Sequence, residues 1–318
     1  MLDTDTNPPA ISVRGLSKTW AGGVEAVKDI DFDVASGEVF GLLGPNGAGK
    51  STTVGMLTTT VKPTSGSACL HGRDVATEAI AARAESAVVF QDPVVDRALT
   101  GRRNFEIHAR LWGVRADDAD RRIEELADSF ELVDVLDRPV ATYSGGQRRR
   151  LEIARALVSE PRVLFLDEPT VGLDPRIRYE LIDVIGGLRA RFGATVLLTT
   201  HYLDEAERLC DRVGIMHAGR IVALDRPANL LAALGDQVIE LRVDTEPTAA
   251  LARLRSLGVA DEDSLAVGST LTFPVRGRSA DAVLTAVRQT GIVATATSTR
   301  PPTLDDVYLR LTGDTLAA

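Results

Sequence analysis

The sequence predicts an α/β protein, a mixed sheet with an antiparallel β portion and a helical insertion, followed by a small α+β domain. Short apolar runs such as EVFGLL (residues 38–43), RVLFLD (162–167) and ATVLLTT (194–200) are separated by helical periodicity, the mark of buried parallel strands joined by helices. Between about 99 and 160 the stretches LTGRRNFEIHARLWG and ADRRIEELADSFELVDVL carry apolar residues at three- and four-residue spacing, so a helical segment interrupts the strands. After Asn229 the pattern becomes strand, helix, two short strands, helix, strand.

Taken in order, residues 11–70 read as strand-rich hairpins, ISVRGL and the alternating VEAVKDIDFDV, framing a loop that follows EVFGLL. RVLFLDEP is a buried strand bounded by Pro161 and Pro169, a helix runs from about 175 to 191, and ATVLLTTH is the next strand. RVGIMHAGRIVAL folds back around Ala218-Gly219, and Asp225-Arg226-Pro227 marks the exit from a first domain of residues 1–228. The remainder, 229–318, has the βαββαβ order of a ferredoxin-like module, closed by a helix from Thr303 whose Leu304, Val307, Tyr308 and Leu311 form an apolar face. A chain of 318 residues is long enough for this two-domain division.

Thirty-six basic residues against 45 acidic ones give a net charge of −9, so there is no electrostatic footprint for nucleic acid and any phosphate must be held by local geometry. Lysine is scarce: Lys18, Lys28, Lys50 and Lys62 are the only ones, and Lys50 lies in a glycine-rich loop. Cys69 and Cys210 match no metal or redox spacing and are expected to be inert thiols in a reducing compartment. MLDTDTNPPA lacks the basic region and apolar core of a signal peptide, and no apolar run reaches the ~18 residues of a membrane span.

Gly44-Pro45-Asn46-Gly47-Ala48-Gly49-Lys50-Ser51 fits G-x-x-x-x-G-K-[ST] between a strand and a helix-compatible run, and predicts a P-loop NTPase-type sheet. Its glycines let the backbone wrap a phosphate, Lys50 reaches the β- and γ-phosphates, and Ser51 ligates Mg²⁺. At the end of RVLFLD, Asp167 is a second Mg²⁺-organising carboxylate and Glu168 accepts a hydrogen bond or proton from attacking water. Far downstream of the loop, Ser144-Gly145-Gly146-Gln147 opens another helix, a second N-terminus suited to an anion. The following Arg148, Arg149 and Arg150 leave two readings open, steering of a nucleotide's negative charge or a solvated helix face, and neither assigns them a catalytic role.

Trp20, GPNGAGKST (44–52, ending at Thr52), Gln91 in VFQD, YSGGQ (143–147), LFLDEP (164–169), GLDP (172–175, with Asp174) and His201 in TTH stand in one order that resembles the ATP-binding subunit of ABC transporters, over about residues 11–230. The resemblance explains the second cradle: two subunits dimerise head to tail, and Ser144, Gly145, Gly146 and Gln147 of one complete the ATP site on the P-loop of the other. It further implies that Trp20 stacks on adenine, Gln91 senses Mg²⁺ and water and faces a membrane partner, Asp174 communicates across the dimer, and His201 contacts the γ-phosphate. YSGGQRRRLEIA, the 99–113 stretch and PPTLDDVYLRLTG look like the daunorubicin-resistance type, whose permease is a separate chain. The expected function is therefore ATP hydrolysis driving efflux of a drug-like, antibiotic or lipid-like substrate, from the cytoplasmic face of the plasma membrane, with residues 229–318 an accessory, regulatory or dimerisation domain. The alternative is a soluble ABC ATPase with a regulatory or other non-transport role; the gap between the two cradles carries no sustained heptads and no cysteine cluster of the kind DNA-repair relatives need.

Overall fold

The computed structural model of the chain describes residues 8–313. Its residues divide into two compact units, the first ending at Leu224 and the second beginning at Asp225, a few residues before the 228/229 boundary expected from the sequence.

The first unit contains β1 (Ile11–Thr19), β2 (Glu25–Val34), β3 (Val39–Leu43), α1 (Lys50–Leu57), β4 (Ser65–Leu70), β5 (Arg73–Asp74), α2 (Ala79–Ala84) and β6 (Ser86–Val89). A helical stretch follows, α3 (Gly101–Leu111), α4 (Ala116–Ser129) and α5 (Gly145–Leu157), and then β7 (Val163–Asp167), α6 (Pro175–Phe192), β8 (Thr195–Thr200), α7 (Leu203–Leu209), β9 (Arg212–His217) and β10 (Arg220–Asp225), whose last residue is the first of the second unit. The strands form two sheets. One is antiparallel, in the order β2-β1-β4-β5. The other has six strands in the order β10-β9-β3-β8-β7-β6, with β9, β3, β8, β7 and β6 paired in parallel.

Every residue of β3, β7 and β8 is buried, which is why these segments read as continuous apolar runs and not as alternating ones. Their register decides where chemistry is placed. Leu43 lies beside Thr200 and Asp167 beside Thr199, so the segments leaving β3, β7 and β8 emerge side by side at one sheet edge. In a parallel sheet that carboxyl edge is where ligands are bound.

The helical insertion has its own logic. Thr100 caps α3 by accepting from the Arg103 N–H, α4 turns Ala119, Ile123, Leu126 and Ala127 inward, and Phe105 and Phe130 are fully buried. The Tyr143 hydroxyl donates to the Val135 carbonyl at 2.6 Å, which fixes the chain just before α5.

The second unit comprises α8 (Pro227–Ala232), β11 (Gln237–Val243), α9 (Pro247–Ser256), β12 (Leu265–Val267), β13 (Thr270–Val275), α10 (Ala280–Gln289), β14 (Ala294–Arg300) and α11 (Leu304–Thr312). Its antiparallel sheet runs β12-β13-β11-β14, the order of a ferredoxin-like βαββαβ module. One expectation is corrected here. The buried side of α11 is Leu304, Val307, Tyr308 and Leu309, whereas Leu311 is 42% exposed; three- and four-residue spacing is shared by more than one stripe of a short helix, and packing chooses between them. Arg300 anchors the start of α11 through both carboxylate oxygens of Asp306, at 2.7 and 2.8 Å. Burial alone would raise the Asp306 carboxyl, but Arg300 and the Thr303 N–H together hold it below its ordinary value.

Candidate functional site

The loop between β3 and α1 is shaped by glycines that nothing else replaces. Gly44 has φ 149° and Gly49 φ 107°, and a Cβ at either would lie 2.3 Å from the Met216 carbonyl oxygen or 2.4 Å from that of Ala26. Gly47, at φ 83°, faces open space, so the loop is packed tightly on its protein side and free on the other. Lys50, the first residue of α1, is only 4% exposed, and its Nζ donates to the carbonyls of Gly44 at 2.7 Å and Pro45 at 3.2 Å.

Across the sheet edge, Glu168 lies 3.2 Å from that ammonium through Oε1, while its Oε2 is 2.8 Å from His201 Nδ1. Ser51 Oγ donates to Asp167 Oδ1 at 3.1 Å, and Thr199 Oγ1 donates to the same oxygen at 2.5 Å. Thr199 Oγ1 in turn accepts the Glu168 N–H at 2.9 Å. Glu168 adopts φ 46°, a left-handed conformation that costs a β-carbon residue about 1 kcal/mol or more. The strained turn lets consecutive carboxylates, Asp167 and Glu168, address neighbouring groups on one side, where a regular strand would send them to opposite faces.

Trp20, Asn46, Gly47, Gly49, Lys50, Ser51, Thr52, Gln91 and Glu168 line one cleft of about 390 Å³. Trp20 is 44% exposed at its mouth, with Lys18 Nζ 4.7 Å above one ring face, so one face is occupied by the cation. Pro45 and Ala48 complete the loop backbone; Ala48 is buried and its carbonyl accepts from the Gly219 N–H. Gln91 follows the end of β6 and is exposed at the cleft. His201, directly after β8, touches the site through Glu168.

The remaining predicted residues stand apart. Ser144 caps α5: it accepts the Gln147 N–H, and the Gln147 side chain accepts the Ser144 N–H, a complete capping box. Ser144 and Gly145 are exposed, whereas Gly146 is buried against Ile177, where a Cβ would come 2.5 Å from Ile177 Cγ2. Asp174 is exposed and caps α6 by accepting from the Ile177 N–H at 3.1 Å. None of these lines the cleft.

The arginine run departs from expectation. Arg149 is buried and bonded to backbone carbonyls of the Asp167–Pro169 turn, and Arg150, with 11% of its side chain exposed, pairs with Glu131 and Glu180. Most of α5 is buried, from Gly146 and Arg149 to Leu157, and successive arginines point about 100° apart, so they meet different neighbours. The sequence reading also missed Thr199, which looked like an ordinary strand residue, and Glu205 of α7. Glu205 is 1% exposed and accepts from the hydroxyl of Thr200, the residue before His201; burial raises its carboxyl above the ordinary range against the lowering effect of Thr170, Thr200 and Arg178.

The cysteines are free, Cys210 being buried, and burial pushes both thiols upward, away from thiolate reactivity. Among the described residues no helix is long and apolar enough to cross a membrane.

Comparison with known proteins decides the family. A family model described as ABC transporter matches residues 27–171. The chain is 43% identical over 310 residues to the daunorubicin/doxorubicin resistance ATP-binding protein DrrA of Streptomyces peucetius, covering 96% of this chain and 92% of that protein. The chain belongs to the ABC transporter ATP-binding family. It is also 37% identical over 311 residues to the Nod factor export ATP-binding protein I of Rhizobium johnstonii, covering 96% of each. Among solved structures, cbiO1 from Clostridium perfringens, part of the ABC transporter complex cbiONQ, superposes with a TM-score of 0.67 at 29% identity, over 71% of this chain and 91% of that one. As an ABC ATP-binding subunit the chain binds nucleotide, and its activity is ATP hydrolysis coupled to transport.

Proposed function

We propose that this subunit powers efflux of a drug-like, antibiotic or lipid-like substrate through a separate permease chain, working on the cytoplasmic face of the plasma membrane as a head-to-tail homodimer that encloses ATP. The relatives named for daunorubicin resistance and Nod factor export support this substrate range. The observation that carries the dimer is the separation of the two cradles. The cleft holds a phosphate loop, a buried lysine and the Glu168 carboxylate, with Asp167 bonded to its Ser51, while a second exposed helix N-terminus at Ser144 and Gly145 lies outside it with only its own capping box to serve. Asp174, exposed at the adjoining cap of α6, is the residue we assign to communication between subunits.

The roles in the cleft follow from its donors. Lys50 exchanges its loop carbonyls and Glu168 for phosphate oxygens, which releases Glu168 to accept a hydrogen bond or proton from water. His201, 2.8 Å from Glu168, keeps that carboxylate aimed and presents its ring toward the γ-phosphate. Ser51 and Asp167, already 3.1 Å apart, and Gln91 form an all-oxygen set that suits Mg²⁺. When bound, Mg²⁺ neutralises charge on the β- and γ-phosphate oxygens. Trp20 offers adenine the ring face opposite Lys18. Residues 229–318 form an accessory domain, regulatory or dimerising, and no nucleic acid is needed. Steady-state hydrolysis and ATP binding by Glu168→Gln test this assignment: binding is retained and turnover falls about 1000-fold. Turnover at the wild-type rate would remove Glu168 from the mechanism.

A further inference from the structure

We infer that Arg149 is a positioning residue for hydrolysis, a guanidinium that holds the Glu168 turn and the Gln91 loop against the helix that carries Ser144 and Gly145. The inference rests on the reading that Glu168 acts on the attacking water. Arg149 lies in the second turn of α5 and is 7% exposed. Its Nε donates to the Pro169 carbonyl at 2.7 Å, and Nη2 donates to those of Asp167 and Glu168, both at 3.3 Å. Nη1 donates to the Phe90 carbonyl at 2.7 Å and to Glu152 Oε2 at 2.8 Å. Every N–H of the guanidinium thus has an acceptor, a planar fork matched on all its edges.

The acceptors define the function. Asp167, Glu168 and Pro169 form the turn that presents Glu168 to the cleft and Asp167 to its Ser51, and Phe90 immediately precedes Gln91. The hydrogen bonds of Arg149 go to the backbone that carries the cleft side chains and to Glu152. Glu168 holds φ 46°, a conformation that persists only where its surroundings over-determine it. With the fork removed, the Asp167 and Pro169 carbonyls lose this donor, the Glu168 carbonyl keeps the Val171 N–H at 3.3 Å, and Glu152, 2% exposed, loses its counter-charge. The turn then relaxes toward other donors, and Glu168 moves off its line to Lys50 and His201. The same fork connects α5 to the turn, so a contact made at the α5 N-terminus is felt by the carboxylates through one side chain.

The test compares single-turnover hydrolysis and ATP affinity in the full-length wild type, Arg149→Lys and Arg149→Gln, with Glu168→Gln in parallel. Lysine keeps a buried cation beside Glu152 but has no planar fork to span the carbonyls, so Arg149→Lys decides the matter where Arg149→Gln does not fold. We expect Arg149→Lys to hydrolyse bound ATP about 10- to 100-fold more slowly, with ATP affinity within about 3-fold of wild type and full nucleotide stoichiometry. Wild-type hydrolysis by Arg149→Lys would overturn the inference. So would equal losses of affinity and rate, the pattern of general structural weakening. Should Glu168→Gln itself turn over normally, the failure lies in the underlying assignment of Glu168 and not in Arg149.

Discussion

The phosphate loop and the helix N-terminus proposed as a second cradle are built in opposite ways. The first is a product of tertiary structure: Lys50 and Ser51 at the start of α1 and Asp167, Glu168 and His201 at the ends of β7 and β8 are bonded across the sheet edge. The second is local: Ser144 and Gln147 satisfy each other within one helical turn, and the cap stands exposed. A cradle wired into the sheet is preorganised for chemistry, while an exposed helix terminus is preorganised only to meet something brought to it. In the head-to-tail dimer proposed above, closure would add the second cradle to a first that is already assembled.

The comparison is broken most sharply by removing the cation on which the first cradle is centred. Lys50→Ala should weaken ATP affinity about 100-fold, because a charge-assisted contact of roughly 2–3 kcal/mol is lost, and equilibrium titration with ATP measures it. A loss of only 2-fold would mean that the glycine backbone alone holds the phosphates.

The helical insertion that carries the second cradle is predicted to respond to acid. Burial, with a smaller contribution from nearby Arg155, lowers His108 of α3 from its ordinary 6.5 to about 4. The folded chain keeps this ring neutral, whereas the unfolded chain takes up a proton near 6.5, so the contribution to stability is complete above that pH and is lost as pH falls toward 4. The loss by pH 4 is on the order of 3 kcal/mol. Urea midpoints at pH 7 and pH 4.5 should show less acid loss in His108→Leu than in wild type; equal losses would assign the acid response to other groups.

The smallest effect concerns the mouth of the cleft. Trp20→Ala should raise the ATP dissociation constant about 2- to 10-fold without changing single-turnover hydrolysis, the signature of a stacking contact that binds but does not react. A rate change of similar size would place Trp20 closer to the chemistry.

How much of this was legible in the sequence follows from where each group finds its partners. The glycine loop and the capped helix at Ser144 were readable because their local geometry depends on neighbours in the chain, and Asp167-Glu168 because it ends a continuous apolar run. The ferredoxin-like order of the second unit was readable because strand and helix periods alternate cleanly. Arg149 was not, since its partners are mostly backbone carbonyls that every residue possesses and no motif encodes. Thr199 escaped for a related reason: its hydroxyl matters only because register sets it beside Asp167. In α11, Leu309 took the buried place that periodicity assigned to Leu311, a choice made by packing among stripes the spacing allows.

The most direct test of the two-cradle account is the oligomeric state of Glu168→Gln, measured by sizing with and without Mg-ATP at a concentration where the protein without nucleotide is monomeric. The account predicts a shift to dimer with Mg-ATP that disappears when Ser144→Arg is added, while ATP remains bound. Persistence of the dimer in the Ser144→Arg double variant, or no shift at all with ATP bound, would contradict the claim that the helix at Ser144 completes a neighbour's site.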